Sequence, residues 1–175
     1  MNPWYCIQAL GWVARYAPEQ DVDAVAKEAF ATAWQSTDRY QTVAASAWPI
    51  RALIERGHGA VAADTVRRLA AAIGEIVPEA SRAEAICLLW DAAFPGGEAI
   101  RAPVLHALRA HLIPEVHWRA RRAYRDIALT LASEDLRQAE AFVDAMPEGE
   151  AKDKSRKALA ESAPLPPRPF FWNAA

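Results

Sequence analysis

Four times along this chain of 175 residues a proline is followed at once by a glutamate, at Pro18-Glu19, Pro78-Glu79, Pro114-Glu115 and Pro147-Glu148. Proline disfavours the α conformation in the residue before it, yet it is tolerated in the first turn of a helix, where its missing N–H costs nothing. A glutamate beside it faces the positive end of the helix dipole. Each pair therefore predicts a helix boundary. Between boundaries the apolar residues recur at intervals of three and four, alanine is abundant and glycines number only 7, so the chain is predicted helical almost throughout, with no convincing strand. Two stripes illustrate the period: Ala83, Ile86, Cys87, Trp90 and Phe94 in one helix, and Val116, Ala120, Ala123, Ile127 and Leu131 in another. The predicted helix pairs run over 3–16 with 20–35, 38–56 with 59–76, 80–94 with 98–112 and 115–132 with 134–146, before a last helix at 150–162. Pro49 is expected to interrupt the helix after Trp48.

Arginines mark a register through these pairs, at Arg39, Arg82, Arg119 and Arg156, with intervals of 43, 37 and 37 residues. Four positions after each stands a small or apolar residue: Val43, Ile86, Ala123 and Ala160. With the run Pro114-Glu115-Val116, Arg119-Ala120 and Ala123, this two-helix unit resembles a HEAT-type repeat, and residues 134–161 also resemble degenerate tetratricopeptide-like repeats. The resemblance implies an all-α fold, a right-handed α-solenoid of about four and a half antiparallel helix pairs, each burying its face against its neighbours. On that reading Arg119 is a register residue paired with an acid of the adjacent unit. The resemblance implies no activity.

An apolar content of 53% with 24% charged residues is ordinary for a globular domain, and one repeat domain over 1–163 is expected, followed by a distinct tail over 164–175. The net charge is −2, and a sequence pI of 6.1 gives no global attraction to nucleic acid. The charge is uneven, −4 over residues 1–100 and +2 over 101–175. Cys6 and Cys87, far apart and inside apolar patterns, read as reduced thiols. With no leader pattern at the N-terminus and no apolar run long enough to span a bilayer, the expectation is a cytoplasmic protein without membrane contact.

Candidate chemistry concentrates between residues 101 and 125. On a helix opening near Pro114, Trp118, Arg121, Arg122 and Arg125 fall opposite the apolar stripe. Together with Arg101 and Arg109, and beside His106, His111 and His117, they read either as a positive patch with an aromatic platform or as a solvated helix face in which Arg122 pairs with Asp126. The histidines stand 5 and 6 residues apart, not the 3 or 4 that puts two ligands on one helical face, so no metal is expected. No cofactor loop is present either, since Gly57, Gly59, Gly96 and Gly97 lie at turns between helices.

The tryptophans and the tail supply the remaining candidates. Trp90 is core by phase, while Trp4 and Trp12 lie on a first helix apolar almost all round, a surface suited to closing the fold or to forming a homodimer. Trp34, Trp48 and Trp118 lie off the core centres and either fill spaces between repeats or line a partner groove. In the tail, Pro164, Pro166, Pro167 and Pro169 forbid helix, and Phe170, Phe171 and Trp172 form an apolar cluster costly to leave in water. Arg168 directly follows the second proline of the PxxP, a poor fit to an SH3 ligand, so the tail is expected to fold back and cover the last pair.

The functional expectation is a non-enzymatic scaffold that binds another protein through its basic and aromatic face. The alternative is a HEAT-like nucleic-acid-binding protein or an enzyme resembling the HEAT-like DNA glycosylases. The candidate binding residues are Arg101, Arg109, Trp118, Arg121, Arg122, Arg125, Phe170, Phe171 and Trp172.

Overall fold

The computed structural model describes residues 2–165 and 170, and all the regular structure among them is helical. The helices are α1 (Pro3–Tyr16), α2 (Val22–Trp34), α3 (Arg39–Ala45), α4 (Ala47–Glu55), α5 (Gly59–Ala72), α6 (Glu79–Ala93), α7 (Glu98–His111), α8 (Trp118–Ala132), α9 (Leu136–Asp144) and α10 (Glu150–Glu161). They divide into two compact units, Met1–His111 and Leu112–Ala175.

In the first unit each helix packs on near neighbours in the chain. Helix α1 packs on α2 and on α4, α4 packs on α6, α6 on α7, and α5 on α7. The first helix of the middle pair is broken at Ser46, giving α3 and α4. Pro49 explains the break: it has no N–H to give the Ala45 carbonyl, and its ring collides with that group in a continuous helix. Helix α1 starts on Asn2, whose side chain accepts from the Trp4 N–H at 3.0 Å, and α3 on Asp38, which accepts from the Tyr40 N–H at 2.9 Å. Such caps satisfy donors that the first turn leaves without intrahelical partners.

Interior contacts sort the tryptophans. Trp4 stacks on Tyr40 with ring centroids 5.8 Å apart and meets the edge of Trp48 at 6.2 Å. Trp48, expected off the core, is buried where α4 meets α1. Gly11 allows that approach: a Cβ there would lie 2.7 Å from Trp48 Cβ and 3.0 Å from the Pro49 nitrogen. Trp90 is buried against Phe94 at 5.4 Å, as its phase predicts.

Two register arginines do the same mechanical work within this unit. Arg39, at the start of α3, donates to the Ser36 carbonyl and to Glu75 beyond the end of α5. Arg82, in the first turns of α6, donates to the Gly74 and Ile76 carbonyls and to the His111 carbonyl at the end of α7, 2.8 Å away. Each fastens the start of a pair's first helix to the end of its second, although Arg82 uses carbonyls where an acid is the more familiar partner. Arg56 is a third clamp, donating to the Arg15 and Ala17 carbonyls at the end of α1 and to Glu19.

In the second unit α8 packs against α9 and α10. Ala120, Ala123, Ile127 and Leu131 are buried as the period predicts, and Tyr124 joins them, stacking on Phe142 and donating its hydroxyl to the Leu112 carbonyl at 3.1 Å. Val116 departs from the expectation. It is 63% exposed because Pro114, Glu115 and Val116 form a turn, and the helix opens at Trp118 with His117 as its cap.

Of the four Pro-Glu pairs only Pro78-Glu79 opens an α-helix directly; Pro18-Glu19 begins a short 3-10 turn, and the other two lie in connecting turns. Glu115 still serves a helix dipole, that of α10, where its Oε1 accepts from the Ala151 N–H at 2.9 Å. Gly149 makes room: a Cβ there would sit 2.7 Å from Glu115 Oε1, and its φ of +152° disfavours any other residue. Replacing Glu115 with Gln keeps an acceptor and removes the charge, so a loss of about 0.5–1 kcal/mol is expected, against about 1–2 kcal/mol for Glu115→Ala. Urea denaturation of both variants, read by far-UV circular dichroism, checks the order.

Candidate interaction surface

Helix α8 turns its arginines outward because its alanines and Ile127 face inward. Trp118 is 54% exposed in its first turn. The neighbouring His117 ring stacks on it at 5.8 Å, and the Arg119 guanidinium lies over the indole at 5.3 Å. Arg121, Arg122 and Arg125 follow, the last two exposed. Opposite them runs α10, a strongly charged helix whose small residues Ala151 and Ser155 are buried and so fix which face meets α8. Between the two helices lies a surface hollow of about 470 Å³ lined by Trp118, Arg121, Arg122, Arg125, Ala151, Lys154 and Ser155.

Four cations of that lining share two carboxylates. Glu150 accepts from Arg121 at 2.7 Å and from Lys154 at 2.6 Å. Asp126 accepts from Arg122 at 3.2 Å and from Arg125 at 2.8 Å. The Lys154 ammonium, and then the Arg121 guanidinium, hold the Glu150 carboxyl below its usual range. These pairs leave two positive charges in excess beside an exposed indole, a combination that receives an anionic group and a flat or apolar one together. The Ser155 hydroxyl is turned away to the Ala151 carbonyl at 2.8 Å.

Not every expected site residue belongs here. Arg101 is a correction: it is 4% exposed, with its guanidinium 4.6 Å from the Phe94 ring centroid and 6.0 Å from that of Trp90. It packs in the core of the first unit, because its position on α7 faces α6 and two aromatic rings accept its cation. Arg109 is exposed in the last turn of α7, also in the first unit. Phe170 is 2% exposed, and the Leu165 N–H donates to the Leu129 carbonyl at 3.2 Å, so the chain after α10 turns back onto α8. Phe171 and Trp172 lie outside the described residues. Lys154 and Glu150 escape a sequence reading aimed at residues 101–125; the signal for them is the pair of small residues Ala151 and Ser155 on an otherwise charged helix.

Acid sensitivity follows from the carboxylates. Glu19 is held below its ordinary value of 4.5 chiefly by its hydrogen bond from Arg56, Glu148 by Lys152 and Glu150 by Lys154. A carboxyl with a depressed folded pKa contributes stability that is complete above its unfolded value and is lost as pH falls through the folded one. The urea midpoint is therefore expected to hold between pH 7 and about 5 and to fall below about 4.5. Glu150→Gln should flatten part of that fall; midpoints measured at pH 7, 5, 4 and 3 check it.

Among the described residues no three of His, Cys, Asp and Glu gather as a metal site, and no helix is long and apolar enough to cross a membrane. Compared with known proteins, the chain matches no protein-family model, no curated protein and no solved structure.

Proposed function

We propose that this chain is a non-enzymatic interaction scaffold of HEAT-like helix pairs, and that it binds an acidic partner protein through the hollow between α8 and α10. The observation that carries the reading is the unequal sharing of charge there, with Arg121, Arg122, Arg125 and Lys154 on two carboxylates beside an exposed Trp118. Tryptophan and arginine dominate the energetics of protein interfaces, and both stand here on rigid helical backbone. The solenoid part of the proposal draws on the pairwise succession of α1 to α7 and on the like placement of Arg39 and Arg82.

Capture of partners by the tagged full chain tests the proposal, in parallel with an Arg121→Glu/Arg125→Glu variant. The expected result is a protein retained by the parent and depleted at least tenfold by the variant. Identical captures by the two would overturn it. Retention on single-stranded oligonucleotides that weakens steeply with salt, and that the same variant abolishes, would favour the nucleic-acid alternative.

A further inference from the structure

Arg121, Arg122 and Arg125 on α8 and Lys154 on α10 bring four positive charges to one hollow of about 470 Å³, where Glu150 and Asp126 supply two negative ones. A single carboxylate from a partner cancels half of that excess. A phosphate monoester cancels nearly all of it, since it carries a charge of about −1.5 to −2 at pH 7. Donors remain for it as well. Among the described residues Arg121 gives Nη1 to Glu150, Arg122 gives Nε to Asp126, and Arg125 gives Nε and Nη2 to Asp126. A guanidinium has five N–H donors in a planar fork, so each of the three keeps N–H groups for a further acceptor. The three oxygens of a phosphoryl group take several such donors at once.

The floor of the hollow permits close approach, because Ala151 and Ser155 are small and buried. The N-terminus of α10 is already capped by Glu115, whose Oε1 accepts from the Ala151 N–H at 2.9 Å, so the attraction for an anion comes from side-chain charge and not from a helix dipole. We infer that the hollow recognises a phosphorylated side chain of the acidic partner, with the phosphoryl group among Arg121, Arg122, Arg125 and Lys154 and the chain that bears it beside Trp118. The inference rests on the reading of this hollow as the partner site, and it adds the chemical group that the site selects.

The test is isothermal titration of the full chain, at about 50 mM salt where surface charges are least screened, with three synthetic acidic peptides that differ only at a central residue: phosphotyrosine, tyrosine sulfate or tyrosine. The aromatic ring carries the charged group clear of the peptide main chain, and the sulfate ester has the shape of the phosphate with one negative charge. The phosphopeptide should bind about tenfold more tightly than the sulfated one, the effect of a further unit charge at close range, and the plain peptide should bind most weakly. Arg121→Gln/Lys154→Gln leaves as many anions as cations in the hollow and should abolish the preference. Glu150→Gln removes one carboxylate and should tighten the phosphopeptide by roughly severalfold, and it decides the matter if the double variant fails to fold. Equal affinities of the parent for the three peptides would overturn the inference, as would a Glu150→Gln chain that binds the phosphopeptide no better than the parent. Equal affinities that Arg121→Glu/Arg125→Glu abolishes would overturn it while leaving the acidic-partner reading in place. No binding of any of the three would also overturn it, and the comparison of captures then decides the wider reading.

Discussion

Gly11→Val is expected to destabilise the first unit by roughly 3 kcal/mol or more, because the added atoms meet main chain that has nowhere to go. The Cβ alone would stand 2.7 Å from Trp48 Cβ, 3.0 Å from the Trp48 carbonyl carbon and 3.0 Å from the Pro49 nitrogen. A flexible side-chain end can swing aside; the first turn of α4 cannot. The helical preference gained by removing a glycine, about 1 kcal/mol, offsets only part of the collision. Either α1 lifts from α4, freeing Trp4 from its contacts with Tyr40 and Trp48, or the pair separates altogether. Gly59→Ala provides the contrast, since the nearest atom to its added Cβ is 3.8 Å away; there the stability should be unchanged or rise by a few tenths of a kcal/mol. Thermal and urea unfolding midpoints should therefore fall for Gly11→Val and hold or rise slightly for Gly59→Ala. A Gly11→Val protein as stable as the parent would mean that α1 does not seat against Trp48.

Trp90→Ala should cost more than any surface change, about 3–5 kcal/mol, by the removal of a fully buried indole and the cavity left behind. Trp90 is 1% exposed, with the Phe94 ring 5.4 Å and the Arg101 guanidinium 6.0 Å from its ring centroid. Its loss also takes an aromatic surface from a buried cation. Trp90→Phe keeps one ring against Phe94 and should recover more than half of the loss. Guanidinium unfolding of both variants gives the comparison. Equal and small effects would place the centre of the first unit elsewhere.

Helix boundaries were legible in the sequence because prolines and caps act locally. Pro49 marks the break between α3 and α4 to within three residues, and Pro78 the start of α6 to within one. The period of three and four correctly assigned Ala120, Ala123, Ile127 and Leu131 to the interior. What the sequence concealed depends on contacts between residues far apart in the chain. Val116 fits the stripe by spacing but belongs to a turn, since the carboxylate of Glu115 is used by α10, 36 positions away, and not by the helix it precedes. Arg101 carries the signature of a surface patch, yet it is buried with its guanidinium against the rings of Trp90 and Phe94, a contact between residues that periodicity does not bring together. Trp48 looked peripheral by phase, but Gly11 on another helix opens a place for it. The hollow was half legible: the α8 residues were identified in the sequence, whereas Lys154 and Glu150 needed the packing of α10 on α8.

Two of the arginines that mark the sequence register make the same kind of tie with different partners. Arg39 and Arg82 stand 43 residues apart and have different partners, a carboxylate in one case and carbonyls in the other, yet each ties the two ends of a helix pair. An arginine's five donors in a fixed fork suit either acceptor. The mechanical demand is thus weaker than a sequence motif, and the signal in the sequence is correspondingly faint.

The most direct measurement of the central claim, that the α8–α10 hollow recognises an acidic partner, is the affinity of the captured protein as a function of salt. The parent should bind with a Kd that rises steeply between about 50 and 300 mM salt, where screening shortens the reach of surface charges. Arg121→Glu/Arg125→Glu should bind at least tenfold more weakly at the low end and with a shallower slope, while an Arg67→Glu/Arg68→Glu control on the exposed face of α5 follows the parent. Equal slopes and affinities for the parent and the α8 variant would contradict the account.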